Sequence, residues 1–212
     1  LNDKPEFEAL SYAWGDSELV ESIFLDGGGF NVTVSAWSAL KALRYNDRVR
    51  VLWIDAICIN QEDMVERTAQ LKLMGMIYRK ASSVRVWLGP SDDDDEVAIS
   101  TLRMLASGDG TKELLEYWGL RHDERDLATR FFETPWWTRL WVVQEVALGQ
   151  HVVFQKGSEE LDFEDLHAAY LKSESFLNEH FGGFLQGAYD GGQDEFMKTF
   201  ASVKTLGQIR EL

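Results

Sequence analysis

Apolar residues follow two different spacings along the chain, and the clearest example lies in its first third. Residues 51–54 form an apolar run, Asp55 interrupts it, and residues 56–59 continue it. An unbroken run of β-branched and aromatic residues is typical of a strand buried on both faces. Residues 60–63 then supply a helix cap at Asn60 and an acidic first turn, and apolar positions recur at helical spacing beyond them. This stretch predicts the central strand and helix of an α/β fold.

The chain before this stretch predicts a strand, a hairpin and a helix. Residues 8–14 have the composition of a strand. Residues 21–25 and 30–34 are short β-type runs, and the glycine-rich residues 26–29 that join them indicate a hairpin. Ser35 is expected to cap the helix that follows.

A third strand and a helical insertion follow the central stretch. Residues 83–88 alternate in polarity and predict a strand that stops at Gly89-Pro90. Residues 92–95 are four consecutive aspartates. Hard cations bind carboxylates, but the run lacks the spaced ligands and the glycine of a calcium loop, whereas it suits the positive end of a helix. We therefore interpret residues 92–132 as an inserted helical stretch.

The helix predicted after this insertion carries the most informative carboxylate. Thr134-Pro135 is a strong helix start, and the helical pattern extends to Leu148. Apolar residues cover nearly all of its faces, so we expect protein on every side. Glu145 lies within it, and a carboxylate on a buried helix must be paired, protonated or facing a cleft. Two interpretations stay open: Glu145 is a site residue, or it forms a structural ion pair with Arg139 or a similar residue.

The last third of the chain sets the expected domain organisation. It predicts a strand at residues 151–154 and two helices separated by a glycine-rich surface loop at residues 182–192. We expect residues 1–155 to form the core domain and residues 156–212 to form a helical extension packed on it. The chain starts without Met and stops inside a helical pattern, so we interpret it as a fragment of a longer protein.

Charge and composition limit the classes of partner. The 212 residues have a formal net charge of −15 and a pI near 4.6, which disfavours nucleic acid and anionic membranes as partners. No apolar stretch of about 18 residues predicts a membrane span. Cys58, the one cysteine, is expected to be buried and unreactive, which favours a reducing, cytoplasmic location. The histidines lack metal-ligand spacing and no nucleophile–histidine group is evident, so we expect no metal, no cofactor and no covalent triad.

The carboxyl ends of the predicted strands define a candidate binding edge, because ligands of open parallel sheets bind there. Three segments follow directly after predicted strands: residues 12–16, 55–61 and 89–91. The acidic groups Asp16, Asp55 and Glu145 outnumber nearby bases, which favours a cationic or ribose-bearing ligand over a simple anion. Trp14 and Trp141 have the shape to stack on a flat ring, although a place in the core explains each of them better than a ligand contact does.

Three long, tryptophan-containing motifs carry a family resemblance. They are EALSYAWGD at residues 8–16, LWIDAICINQ at residues 52–61 and RLWVVQE at residues 139–145. In this order and at these separations they resemble the heterokaryon incompatibility (HET) domain of filamentous fungi, over roughly residues 7–149. The resemblance implies a role in non-self recognition that ends in regulated cell death, usually with the domain as the toxic effector.

The order of predicted elements is also similar to that of Toll/interleukin-1 receptor (TIR) domains. Those domains carry a Trp and a Glu on a helix after the third strand, and several cleave NAD+ with that Glu. The similarity implies a TIR-like (flavodoxin-like) parallel sheet flanked by helices, to which the hairpin and the helical insertion are additions. It also implies that Glu145 is catalytic and that NAD+ is the substrate. The expected substrate contacts are Tyr12, Trp14, Asp16, Asp55, Asn60, Gln61 and Trp141.

Two functions follow as expectations from these resemblances. The first is an effector with NAD+ glycohydrolase activity. The alternative is a non-catalytic module that triggers cell death through self-assembly. Self-association and an upstream sensor domain or protein are the expected partners, whereas a nucleic-acid enzyme is disfavoured by the charge.

Overall fold

The computed structural model describes residues 5–18, 20–108, 131–139, 141–181 and 195–210, with only the backbone for residues 176–181 and 195–201. The chain divides into two compact units, the first formed by Leu1–Pro90 with Arg139–Ser158 and the second by Ser91–Thr138 with Glu159–Leu212. The expected insertion and the expected C-terminal extension both fall in the second unit. Most of the helices predicted within residues 111–132, and the glycine-rich stretch 182–192, lie outside the described residues.

The first unit is built on parallel strands. Its elements in chain order are β1 Glu8–Tyr12, β2 Val20–Leu25, β3 Gly28–Thr33, α1 Val34–Leu43, β4 Leu52–Trp53, α2 Asp55–Cys58, α3 Met64–Leu71, α4 Met74–Lys80, β5 Ser83–Gly89, α6 Val142–Leu148 and β6 Val152–Lys156. Four strands pair in the order β4-β1-β5-β6, and each of these pairs is parallel. The predicted α/β class with a mostly parallel sheet flanked by helices is therefore confirmed.

The hairpin prediction is also confirmed, with a shorter turn. Strands β2 and β3 pair antiparallel from Val20↔Thr33 to Leu25↔Gly28. Asp26 and Gly27 alone form the turn, with φ of 47° and 85°. Positive φ at both central residues matches the right-handed twist of the flanking strands, which is why an Asp-Gly pair suits this position.

The apolar core of this unit lies between α1 and the sheet. Ala36, Ala39 and Leu43 of α1 are buried against Leu10 and Tyr12 of β1. The small side chains of Ala36 and Ala39 let the helix approach the strand closely. Because successive side chains of a strand point to opposite faces, the residue between Leu10 and Tyr12 faces away from α1.

The central stretch differs from its prediction. The single strand expected over residues 51–59 is wrong, since β4 ends at Trp53 and the amides of Ile57 and Cys58 already donate to the Ile54 carbonyl as helix α2 forms. A short apolar run does not distinguish a buried strand from a strand that turns into a helix. Cys58 is exposed, so its expected burial is also wrong.

The helix after this stretch is capped by a different residue from the one predicted. Asp63 is the N-cap of α3, and its carboxylate accepts from the amides of Val65 (2.8 Å) and Glu66 (3.1 Å). Asn60 instead closes a turn by accepting from the Glu62 amide at 3.1 Å, so its predicted capping role is wrong.

The helix predicted to follow Ser35 is capped two residues earlier than expected. Thr33 caps α1 and accepts from the Ala36 amide, while the Ser35 hydroxyl donates to the Ala13 carbonyl at 2.6 Å. The expected cap at Ser35 is therefore wrong, and Ser35 instead fixes the chain just beyond β1.

The continuous helix predicted from Pro135 to Leu148 is wrong as well. A 3₁₀ turn, Pro135–Thr138, precedes α6, which begins at Val142 with Trp141 as its N-cap. Helix α6 packs on α4 at Gly75, where an added Cβ would lie 3.1 Å from the Leu148 Cδ1 atom. Val143 of this helix is 44% exposed, so protein does not surround α6 on every side as expected.

The second unit is mainly helical in its described part. It contains α5 Asp93–Ser107, β7 Glu159–Asp162, α7 Phe163–Phe181 and α8 Glu195–Arg210. Asp92 and Asp95 form a reciprocal capping box at the start of α5, which confirms the interpretation of the aspartate run as a helix start. Helix α7 packs along α5, and the Lys172 side chain donates to the Ala106 carbonyl. Among the helices described, none is long and apolar enough to cross a membrane.

An ionic network anchors the first residue of β1. The Glu8 carboxylate accepts from Arg50, from Ser83 at 2.9 Å and from Arg85 at 3.1 Å. Burial acts to raise the pKa of Glu8, but hydrogen bonds from these three side chains and the charge of Arg50 hold it below its ordinary value. The network therefore ties β1 to β5 and to the segment before β4.

The reassigned cap gives a first prediction. Asp63→Ala removes the acceptor of two otherwise unpaired helix amides, so we expect a loss of about 1 kcal/mol in the free energy of unfolding. Asn60→Ala is the matched control and should cost about 0.5 kcal/mol or less, because it removes one exposed turn contact. Urea unfolding of both variants measures the difference. A larger loss for Asn60→Ala would return the capping role to Asn60.

Candidate functional site

The most deeply buried charged group of the first unit is Glu145, which is 1% exposed. Its carboxylate forms a bidentate ion pair with Arg139, whose two terminal nitrogens donate to Oε2 and Oε1 at 3.1 Å each. The Ser11 hydroxyl of β1 also donates to Oε2. Ser11 faces away from α1, on the same side of β1 as Ala9, and it is the polar side chain that this side of the strand presents to the carboxylate.

The break before α6 makes this ion pair possible. Arg139 precedes Glu145 by six residues, and six residues of a continuous helix turn through about 600°, which would place the two side chains about 120° apart around the axis. The 3₁₀ turn ends at Thr138 and α6 begins only at Val142, so Arg139 is free to fold back onto Glu145.

A second carboxylate, Asp55, lies at the first position of α2. It accepts from the Trp14 indole N–H at 3.0 Å and from the Ala56 amide at 2.8 Å. The Gln61 side chain donates to the Asp55 main-chain carbonyl at 2.9 Å. The loop after β1 and the loop after α2 are therefore both fastened to Asp55.

Two buried tyrosines complete the group. The Tyr78 hydroxyl donates to the Leu10 carbonyl at 3.3 Å. The Tyr12 hydroxyl lies beside the Asp55 carboxylate but outside ordinary hydrogen-bond geometry. Burial raises the pKa of both tyrosines, and the charge of Asp55 raises them further, so both stay neutral donors at physiological pH.

Burial dominates the electrostatics of the two carboxylates. It raises the pKa of Glu145 and the charge of Asp55 adds to the rise, while the charge of Arg139 and its hydrogen bonds, with that of Ser11, oppose it. Burial likewise raises the pKa of Asp55, against hydrogen bonds from Trp14 and the Ala56 amide and the charge of Arg139. For both carboxylates, the hydrogen bonds and the charge of Arg139 therefore offset only part of the free-energy cost of burying a negative charge.

The structure brings together five of the predicted site residues and separates three others. The group comprises Tyr12, Trp14, Asp55, Gln61 and Glu145. Asp16 is exposed and accepts from the Glu18 amide at 2.9 Å, and Asn60 is exposed in its own turn. Trp141 lines an open groove of about 570 Å³ formed by α3, α4 and α6, and neither Asp55 nor Glu145 lines that groove.

Three further residues belong to the site but were not among the substrate contacts predicted from the sequence: Ser11, Tyr78 and Arg139. Tyr78 falls on the apolar stripe of a helix, which is a core signature. Arg139 entered the sequence analysis only as the partner of Glu145 in a structural ion pair, and the structure contains that pair. Ser11 could have been predicted as a site residue from the pattern of β1. It is a small polar residue within an otherwise buried apolar stretch that runs from Ala9 to Tyr12.

Within the described ranges, no group of three or more His, Cys, Asp or Glu side chains has the geometry of a metal site. The chemistry available at the site is that of two carboxylates, one guanidinium and neutral hydroxyl donors.

Comparison with known proteins places residues 7–145 under the family model described as heterokaryon incompatibility protein (HET). A relative from Neurospora crassa, heterokaryon incompatibility protein 6, OR allele, is 32% identical over an alignment of 202 residues. The alignment covers 74% of this chain and 29% of the relative. The chain thus spans less than a third of the length of that relative. No solved structure matches the chain, so the similarity to TIR domains stays a prediction.

The contact from Ser11 gives a pH-dependent prediction. Because the folded-state pKa of Glu145 is raised, its contribution to stability is fully present below the unfolded pKa and is lost as the pH rises through the folded value. Ser11→Ala removes a donor to the ionised form. We expect the variant to lose about 1 to 3 kcal/mol of unfolding free energy at pH 8 and less at pH 5.

Urea unfolding at the two pH values measures this loss. The control places Ser11→Ala in a Glu145→Gln background, where the loss should no longer depend on pH. Equal losses at pH 5 and pH 8 in the parent background would show that Ser11 does not stabilise the ionised carboxylate.

Proposed function

Because the chain belongs to the heterokaryon incompatibility (HET) family, we propose that it acts as a cell-death effector of fungal non-self recognition. We further propose that its first unit cleaves NAD+ at the nicotinamide–ribose bond. The observation that carries this proposal is the buried carboxylate of Glu145, oriented by Ser11 and Arg139 beside the second carboxylate of Asp55.

The chemistry requires one well-placed carboxylate. Cleavage of a glycosidic bond passes through an oxocarbenium-like state. The nicotinamide ring of NAD+ is already cationic and leaves as a neutral molecule, so no proton donor is needed. Glu145 stabilises the positive charge that develops on the ribose, and a site with little water strengthens that interaction.

The hydrogen bonds of Glu145 fit this role. A carboxylate has about four lone-pair sites. In the described part of the chain three donors reach it, two on Oε2 and one on Oε1. One acceptor position on Oε1 is therefore left for a ribose hydroxyl. The three donors fix the orientation of the carboxylate and hence the direction of that position.

Asp55 and Trp14 supply the binding surface for the leaving group. The Trp14 indole is partly exposed and is held by its N–H to Asp55. Its face is suited to stack on the nicotinamide ring, and the Asp55 charge attracts the ring's positive charge. Tyr12 supplies a neutral donor beside Asp55. Asp16, Asn60 and Trp141 stay predictions as substrate contacts.

The test of this function is Glu145→Gln, which keeps size and helix propensity but removes the charge. We expect nicotinamide release from NAD+ to fall by roughly a hundredfold or more, measured by mass spectrometry on folded protein. Glu62→Gln, at an exposed position of the same unit, is the matched control for net charge and should cleave at the parent rate. A folded Glu145→Gln protein that releases nicotinamide at the parent rate would show that Glu145 is structural.

A second candidate function is favoured by a different observation. Apolar side chains are exposed on the helices that form the Trp141 groove, among them Met64, Val65 and Met76. Clustered exposed apolar side chains mark interaction surfaces. The alternative is a non-catalytic module that self-assembles, under the control of an upstream sensor, and kills without cleaving a nucleotide.

Self-association also gives a measurable prediction for the enzyme. If neighbouring copies complete the site, the specific activity rises with protein concentration. Val65→Asp, at a side chain 81% exposed on α3, should then flatten that rise without lowering the melting temperature. Val49→Asp is the matched control, since Val49 is 89% exposed and lies on none of the helices that form the groove. A flat specific activity for the parent across a wide dilution series means that each monomer is complete.

A further inference from the structure

Arg139 has hydrogen-bonding capacity that its ion pair does not use. A guanidinium carries five N–H donors, and Glu145 takes two of them. The other three meet no acceptor within the described ranges. The Arg139 side chain is 21% exposed, against 1% for that of Glu145, so of the two side chains Arg139 is the one that reaches the surface.

The two edges of the guanidinium are separate recognition surfaces. Both terminal nitrogens point one hydrogen each at Glu145. The Nε–H and the second hydrogen of a neighbouring terminal nitrogen form another fork, whose geometry matches carboxylate or phosphate oxygens. An anion on this second fork leaves the Glu145 ion pair intact, so no buried charge loses its partner.

The charges around Arg139 describe the ligand that would fit. Arg139 acts electrostatically on Asp55, on Glu145 and on both buried tyrosines. The site offers Asp55 and the Trp14 ring, which suit a flat cation. It also offers the unused N–H donors of Arg139, which suit an anion. A ligand that carries both charges on one ribose satisfies both requirements.

We propose that the outer donors of Arg139 bind a phosphate group of the substrate, so that the site takes pyridinium nucleotides with a ribose 5′-phosphate in preference to the corresponding ribosides. This inference rests on the proposed function, because it assumes that the pyridinium ribose lies at Glu145. Arg139 is then a specificity residue for the phosphate as well as the group that orients Glu145.

The experiment compares nicotinamide mononucleotide with nicotinamide riboside, which differ only by the phosphate. For the parent protein we expect kcat/KM to favour the mononucleotide by about tenfold or more, the size expected for charge-assisted hydrogen bonds. Arg139→Gln should lower both rates, because Glu145 loses its partner, and should bring the ratio of the two substrates close to one. The ratio, and not the absolute rate, reports the phosphate contact.

Two further variants keep the comparison decisive. Arg139→Lys retains the charge without the fork and should give an intermediate ratio, and it serves if Arg139→Gln does not fold. Arg79→Gln removes an exposed positive charge from α4 and should leave the parent ratio unchanged. An unchanged preference for the mononucleotide in folded Arg139→Gln or Arg139→Lys protein overturns the inference and leaves the proposed cleavage standing.

A binding measurement separates this inference from the proposed reaction. Ribose 5-phosphate and ribose lack the scissile bond, and their binding to the parent and to Arg139→Gln is measured by NMR titration. If the parent cleaves neither nucleotide yet binds ribose 5-phosphate more tightly than ribose, and Arg139→Gln removes that difference, the proposed function fails and the phosphate contact stands. Equal binding of the two sugars to the parent overturns the phosphate contact.

Discussion

The site depends on one constraint, which is that the carboxylate of Glu145 is taken out of water and must be paired there. The charge of a single buried carboxylate is unfavourable by several kcal/mol when it has no partner. Three parts of the chain meet that requirement: β1 supplies Ser11, the segment between the 3₁₀ turn and α6 supplies Arg139, and α6 carries Glu145. A change in any one of them leaves a donor or an acceptor unpaired.

The position of this group follows from the parallel sheet. Strand β1 lies between β4 and β5, so its carboxyl end opens between the loops of its two neighbours. Tyr12 ends that strand, Trp14 lies just beyond it, and Asp55 begins the helix that follows β4. The edge rule for parallel sheets therefore predicts the place of the site, while the contacts within it depend on details of the loops.

Sequence patterns predicted those parts of the fold in which the spacing of apolar residues and the residue types at the turns and caps indicate the same element. Strands β1 and β5 and the Asp-Gly hairpin have an unambiguous strand pattern, and the aspartate run is a strong helix start. The patterns failed where an apolar run ended early, as at Trp53, or where a helical pattern contained a break, as before Val142. Glu145 and Asp55 were predicted as site residues from their unusual surroundings. The sequence also left open the ion pair of Glu145 with Arg139, but not the break in the helix across which the pair forms, because no periodicity indicates that break.

Two carboxylates of the first unit have similar partners but opposite shifts in pKa. Glu8 and Glu145 each accept from arginine and serine side chains. Glu8 has two guanidinium groups, and its pKa is lowered; Glu145 has one, faces the charge of Asp55, and its pKa is raised. The partners of Glu8 thus outweigh the cost of its burial, whereas those of Glu145 do not. A fold that needed only stability would gain by filling such a position with an apolar side chain. Under the proposed function, Glu145 and Asp55 keep this position because two carboxylates that share one guanidinium favour a positive charge on a ligand, which is what a reaction through an oxocarbenium-like state supplies.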